Sequence, residues 1–158
     1  MKKNMLTNDF ITAWNDSRTV TMQIAEAMNT EHFNIDFKAH PDMNSFGDIA
    51  SHLIAVVYHN FKNYLKITEV EIPKYLKKPI NYEIFKSELI KTNTMVLDLM
   101  KNLSMDDLQQ EAYFWEPTKT SYSKGWVVFN IITHERWTQA QLKMYLKLMG
   151  VDTSKIGH

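Results

Sequence analysis

Four glycines and four prolines in 158 residues leave long stretches with nothing to break a helix. Those stretches carry the helical period. From about Thr7 to Asn29, the residues Phe10, Trp14, Ser17, Thr21, Ile24 and Met28 step alternately by four and three, the seam of a bundle helix. Thr7 is the expected N-cap, with Asp9 in the first turn favouring the helix dipole. A second helix opens on Ser45-Phe46-Gly47-Asp48, a capping box in which Asp48 stands three residues after the cap. Its apolar stripe, Ile49, Leu53, Val56, Val57, Phe61, Tyr64 and Leu65, fades near Lys66.

A third helix is predicted from about Asn81 to Leu103, with Phe85, Leu89, Thr92, Val96, Leu99 and Leu103 on its seam. Ser104 and Asp107 repeat the capping-box pattern and predict a further short turn. The last helix is expected from near Ser123 to Gly150, with Val127, Ile131, His134, Thr138, Leu142, Tyr145 and Met149 inward. Between these lie the connections Thr30 to Asn44, Lys66 to Ile80 and Gln109 to Ser123; in the second, Val70 and Ile72 leave room for a short extended piece. The aromatic third connection, with Tyr113, Phe114, Trp115 and Tyr122, reads as irregular chain packing over the end of the bundle, or as a lid or a partner surface. The expectation is an all-α protein, one domain over residues 1–158, built as a four-helix bundle with long crossover connections.

Composition narrows the function. Lys and Arg number 18 and Asp and Glu 18, so charge gives no pull toward nucleic acid or an anionic membrane. Only Arg18 and Arg136 carry the guanidinium fork suited to phosphate and base edges. Without a cysteine there is no disulfide, thiolate nucleophile or thiolate metal ligand, so any metal falls to histidine and oxygen donors. No signal peptide or membrane span is legible, and a cytoplasmic location is expected.

Bundle sites are built where facing helices turn polar groups inward. His52 stands at the edge of the second helix's stripe and His134 on the last helix's seam, and two inward histidines on different helices suggest one shared site. His59 lies two turns beyond His52, about 10.5 Å along the axis, too far to share its ion. His32, His40 and the terminal His158 read as surface residues. Ser17, Thr21 and Thr92 either fill space by bonding the preceding turn or join the histidines in a buried hydrogen-bond network.

The segments Ser45-Phe46-Gly47-Asp48-Ile49-Ala50-Ser51-His52-Leu53, Leu103-Ser104-Met105-Asp106-Asp107-Leu108, Thr133-His134-Glu135-Arg136-Trp137-Thr138-Gln139-Ala140-Gln141-Leu142 and Tyr145-Leu146-Lys147-Leu148-Met149-Gly150, in that order, resemble the DinB/YfiT-like family over residues 5–151. The resemblance implies a four-helix bundle with a long crossover, often homodimeric. It also implies a divalent metal, zinc or nickel, held by one histidine of the second helix and an HxxxH pair on the last. Characterised relatives act as thiol S-transferases or isomerases with low-molecular-weight thiols.

His52 and His134 match the first two ligand positions, whereas the third falls on Thr138, a poor ligand; Gln141 matches the family's glutamine, but Gln139 and Ala140 replace its arginine and glycine. The chain is one ligand short. Asp48, one turn before His52, stands in only if it leaves its capping box, and Gln141 offers a weak amide oxygen. Two readings follow for a pocket lined by Asp48, Thr138, Gln141, Ser17, Thr21 and Thr92. One is a depleted metal site with thiol-transfer chemistry. The other is a non-catalytic module that binds a small molecule or a second copy.

Overall fold

The computed structural model describes residues 5–28, 33 and 36–157. Its long helices are α1 (Met5–Ala27), α2 (Phe46–His59), α3 (Tyr82–Asn102) and α5 (Lys124–Leu148); a short α4 (Met105–Gln109) and a hairpin of β1 (Glu111–Trp115) and β2 (Thr120–Ser123) precede α5. The helices close a ring in which α1 and α2 each pack on both α3 and α5. Consecutive α1 and α2 thus stand on a diagonal, and the long connection between them is the crossover.

Local chemistry sets most of these boundaries. The Ser45 hydroxyl accepts from the Asp48 backbone N–H while the Asp48 carboxylate accepts from the Ser45 N–H, and Ser104 with Asp107 repeats the arrangement at α4. Asn81 and Ser123 cap α3 and α5 through their side chains. Each such cap contributes about 1 kcal/mol. Thr7 is not a cap: α1 is already helical at Met5, and the Thr7 hydroxyl donates to the Leu103 carbonyl at 3.4 Å. That bond ties α1 to the end of α3. A contact so distant in sequence leaves no local pattern.

The third connection departs from an irregular reading. β1 and β2 pair antiparallel, with Tyr113 opposite Tyr122 and Trp115 opposite Thr120. A turn of 3₁₀ helix (Glu116–Thr118) and Lys119, at φ 53°, reverse the chain. Tyr113 stacks on Tyr64 with centroids 4.3 Å apart, and Tyr122 lies 4.1 Å from Trp126. The hairpin therefore caps the bundle through rings on its inner face and leaves Phe114 and Trp115 exposed. Val70 and Ile72 form no strand; they pack half-buried against the core.

The core has two apolar clusters. One gathers Ile24, Phe46, Ile54, Phe85, Leu89, Leu142 and Tyr145; the other gathers Trp14, Val57, Val96, Met100, Val127, Val128, Ile131 and Ile132. Burying each large side chain contributes about 1.5–3 kcal/mol. Between the clusters runs a buried polar layer of Ser17, Arg18, Thr21, Thr92, Glu135, Thr138 and Gln139. Because α5 packs on both α1 and α2, its buried face is broad, and Glu135 and Gln139 lie within it, while His134 stands at its edge, half-buried. No helix among the described residues is long and apolar enough to cross a membrane.

Candidate functional site

His52 of α2 and His134 of α5 meet edge to face, their ring centroids 5.0 Å apart and the planes inclined at 61°. Eight residues after His52, the regular helix gives way to a π-helical turn, Asn60–Tyr64. Such turns recur at functional sites because the extra residue re-aims the side chains that follow. Here the turn carries Asn60, which meets α5, and Tyr64, which stacks on Tyr113 of the hairpin. The Asn60 amide donates to the Val56 carbonyl at 2.7 Å, and its Oδ1 accepts from Asn130 of α5 at 3.2 Å.

His52, Ala55, Val56, His59, Asn60, Tyr64, Asn130 and His134 line a cleft of about 340 Å³. This is within the usual range for a small-molecule site. No Asp, Glu, Lys or Arg is among these residues. The polar groups are three imidazoles, two carboxamides and a phenol. Partial burial holds the His52 imidazole below its ordinary pKa, and burial together with the facing His52 does the same to His134. Nδ1 of His134 is buried without a hydrogen-bond partner, its own carbonyl already accepting from the Thr138 hydroxyl at 2.9 Å. His59, read from the sequence as too far from His52 to share its ion, lines the same cleft, with its Nδ1 2.9 Å from the Asn63 amide.

The other expected pocket residues lie elsewhere. Asp48 is held in its capping box, its carboxylate accepting from the Ser45 N–H at 3.0 Å and hydroxyl at 2.7 Å. Thr138 is fully buried and turned back on its own helix, and Thr92 does likewise, donating to the Glu88 carbonyl at 2.7 Å. Gln141 borders a separate shallow depression with Asp42, Met43, Asn44, Ile49 and Tyr145. Ser17 and Thr21 join a cluster that excludes the histidines. The Gln139 amide donates to the Ser17 carbonyl at 2.5 Å and the Thr21 hydroxyl at 2.7 Å, and Thr21 donates to Glu135 Oε1 at 2.5 Å. His32 and His158 fall outside the described residues, and His40 is exposed.

That cluster contains the buried ion pair Arg18–Glu135, with Nε 3.3 Å from Oε1. Burial raises the Glu135 carboxyl above the usual range, opposed by Arg18 and the Thr21 hydroxyl. The Arg18 guanidinium stacks over Trp14 at 4.4 Å. Sequence reading passed over both charges because Lys, Arg, Asp and Glu are surface residues by default. A second buried carboxylate, Glu88, accepts from the hydroxyls of Tyr58 (2.6 Å) and Tyr75 (2.5 Å).

The histidine pair fits a three-ligand metal centre poorly. Thr138 occupies the third position and its hydroxyl is engaged. A metal-bound histidine also gives its second ring N–H to an acceptor, and nothing accepts at Nδ1 of His134. Among the described residues no three His, Asp or Glu side chains converge in a metal-binding group.

A helical bundle with a crossover and a polar cleft between its second and last long helices defines the class. The DinB family profile matches residues 1–156, and the chain belongs to the DinB family. Its fold is similar to that of a DinB-like protein from Bacillus cereus ATCC 10987, at TM-score 0.75 and 15% identity over 93% of this chain and 95% of that one. A DinB-like protein from Bacillus subtilis is similar at TM-score 0.66 and 17% identity, over 91% and 94% of the two chains. No curated protein matches the sequence.

Proposed function

We propose that this DinB-family protein binds a small uncharged molecule in the cleft between α2 and α5, held by hydrogen bonds from His52, His134 and Asn130 rather than by a tightly bound metal. The observation that supports this reading is the cleft's lining. Two imidazoles 5.0 Å apart face a space of about 340 Å³ whose lining includes no Asp, Glu, Lys or Arg. Both rings are held toward the neutral form, in which one ring nitrogen donates and the other accepts; with Nδ1 buried, His134 meets a ligand through Nε2. Apolar Ala55 and Val56 supply desolvated contact surface beside these polar groups. Asp48, Thr138, Thr92, Ser17 and Thr21 are engaged within the protein, and Gln141 borders a separate depression.

A ligand-observed NMR screen of neutral, polar fragments against protein prepared without a metal-affinity tag tests the proposal. Expected are hits whose saturation transfer is lost in His134→Ala and in Asn130→Ala. A screen without hits, or hits indifferent to both substitutions, would contradict it.

A further inference from the structure

Arg18 has more donors than partners. Its side chain is 3% exposed, and Nη1 reaches the Leu89 carbonyl at 3.5 Å. Nε and Nη2 are buried and make no hydrogen bond. Glu135 Oε1 stands 3.3 Å from Nε, close enough to balance the charge but not along the N–H direction. Nε–H and the neighbouring Nη2–H form one edge of the guanidinium fork, the edge that receives oxygen acceptors. Buried donors without partners are few in native proteins, and each points to something that completes it.

Arg18 lines a groove of about 370 Å³ between α1 and α3, with Asn15, Met22, Gln23 and Glu26 from one face of α1 and Asn93 from α3. The volume suits a small molecule. The two amides nearest in kind to Arg18 also offer N–H. Asn93 Oδ1 accepts from Trp14 Nε1 at 2.9 Å, and Gln23 Oε1 accepts from the Gly157 N–H at 2.8 Å, so the nitrogen end of each is what remains for a ligand. The groove therefore asks for an acceptor. Its carboxylates decide the acceptor's charge. Glu135 already balances Arg18, and the exposed Glu26 adds a negative charge about 12 Å along the helix axis from Arg18. An anion would meet two carboxylates and one guanidinium, whereas an uncharged carbonyl oxygen takes the donors without that repulsion.

We infer that the α1–α3 groove is a second ligand site, for a small uncharged carbonyl compound of the amide or urea class whose oxygen accepts from Arg18 and from the Asn93 amide. The exposed Asn15 side chain supplies an acceptor for the ligand's own N–H. No residue lines both this groove and the histidine cleft, so the inference stands apart from the reading of that cleft.

The arginines of this chain are Arg18, buried, and Arg136, exposed, which gives the test an internal control. Proton–nitrogen correlations of the arginine Nε–H groups and the backbone amides are followed in full-length protein during titration with acetamide and, separately, with acetate. The two probes have the same shape and differ in charge. Arg136→Lys assigns the two arginine signals. Acetamide is expected to shift the Arg18 Nε–H and the Arg18, Thr19 and Asn93 backbone amides saturably and to leave Arg136 where it is, with a smaller response to acetate. Asn93→Asp keeps the acceptor for Trp14 and removes the amide donor; it is expected to weaken acetamide binding about fivefold, the measure of one neutral hydrogen bond. No response at Arg18 or its neighbouring amides to either probe, as when water alone enters the groove, overturns the inference. So does an acetate response larger than that to acetamide, or acetamide binding that Asn93→Asp leaves unchanged.

Discussion

Arg18 and Glu135 meet at 3.3 Å between α1 and α5, their side chains 3% and 2% exposed. Neither charge touches the histidine cleft. They belong to the layer that separates the two apolar clusters, and their pairing fixes how α1 sets against α5. Removing one partner leaves a buried, uncompensated charge. Glu135→Ala is expected to cost about 3–5 kcal/mol in urea denaturation, whereas Arg18→Met with Glu135→Leu recovers most of that loss. A double variant as unstable as the single one would show that the pair contributes more than mutual neutralisation.

Stability is expected to follow the histidines. Both rings of the pair are held below the ordinary imidazole value of about 6.5, chiefly by burial. The unfolded chain therefore takes up protons before the folded one does. Their contribution is complete above the ordinary value and is lost as pH falls through the window beneath it. Thermal midpoints from pH 7.5 to 5 should decline for the parent and decline less steeply for His52→Asn with His134→Asn. Glu135, raised by burial, acts in the opposite sense at lower pH, losing stability as pH rises through the carboxylate range. An unchanged slope in the histidine variant would remove the proposed cause.

The aromatic clasp on Glu88 makes a spectroscopic prediction. Burial and the facing carboxylate raise the Tyr58 phenol well above the ordinary range and push Tyr75 up to about 12. An ultraviolet titration of folded protein should leave both phenols protonated at pH 11. In Glu88→Gln the Tyr75 phenol, the more exposed of the two, should ionise at lower pH. Tyrosine titration identical in the two proteins would contradict this assignment.

Much of the fold was legible because its signals are local. The Ser45–Asp48 and Ser104–Asp107 boxes announce helix starts within four residues, and the four-and-three spacing from Phe10 to Met28 needs no partner to be read. The hairpin was not, because its strands alternate around aromatic rings and its reversal rests on Lys119 rather than on a glycine. The candidate site was legible in half. His52 and His134 do meet, but a single seam drawn through α5 missed that the helix is buried against two neighbours, which admits Glu135 and Gln139 to the core. Asn60 and Asn130 were missed because a π-turn, silent in the sequence pattern, re-aims α2.

Capping carries a smaller expectation. Ser45→Ala removes the hydroxyl that accepts from the Asp48 N–H and one of the two bonds the Asp48 carboxylate accepts from residue 45, leaving the one from the backbone N–H. A loss of about 1 kcal/mol is expected from chemical denaturation. Asp48→Asn, which keeps a carbonyl acceptor, should lose less. A larger loss for Asp48→Asn would indicate that the carboxylate's charge at the helix start matters more than its hydrogen bonds.

The most direct test concerns the state of the two imidazoles. Long-range proton–nitrogen spectra of the histidine rings can be recorded on apo protein, with one equivalent of zinc chloride, and separately with a fragment from the neutral screen. The account predicts that the fragment shifts the His52 and His134 ring nitrogens by amounts typical of hydrogen bonding, while equimolar zinc leaves them where they are. Ring nitrogens of both residues moving to metal-bound positions at one equivalent of zinc would contradict it.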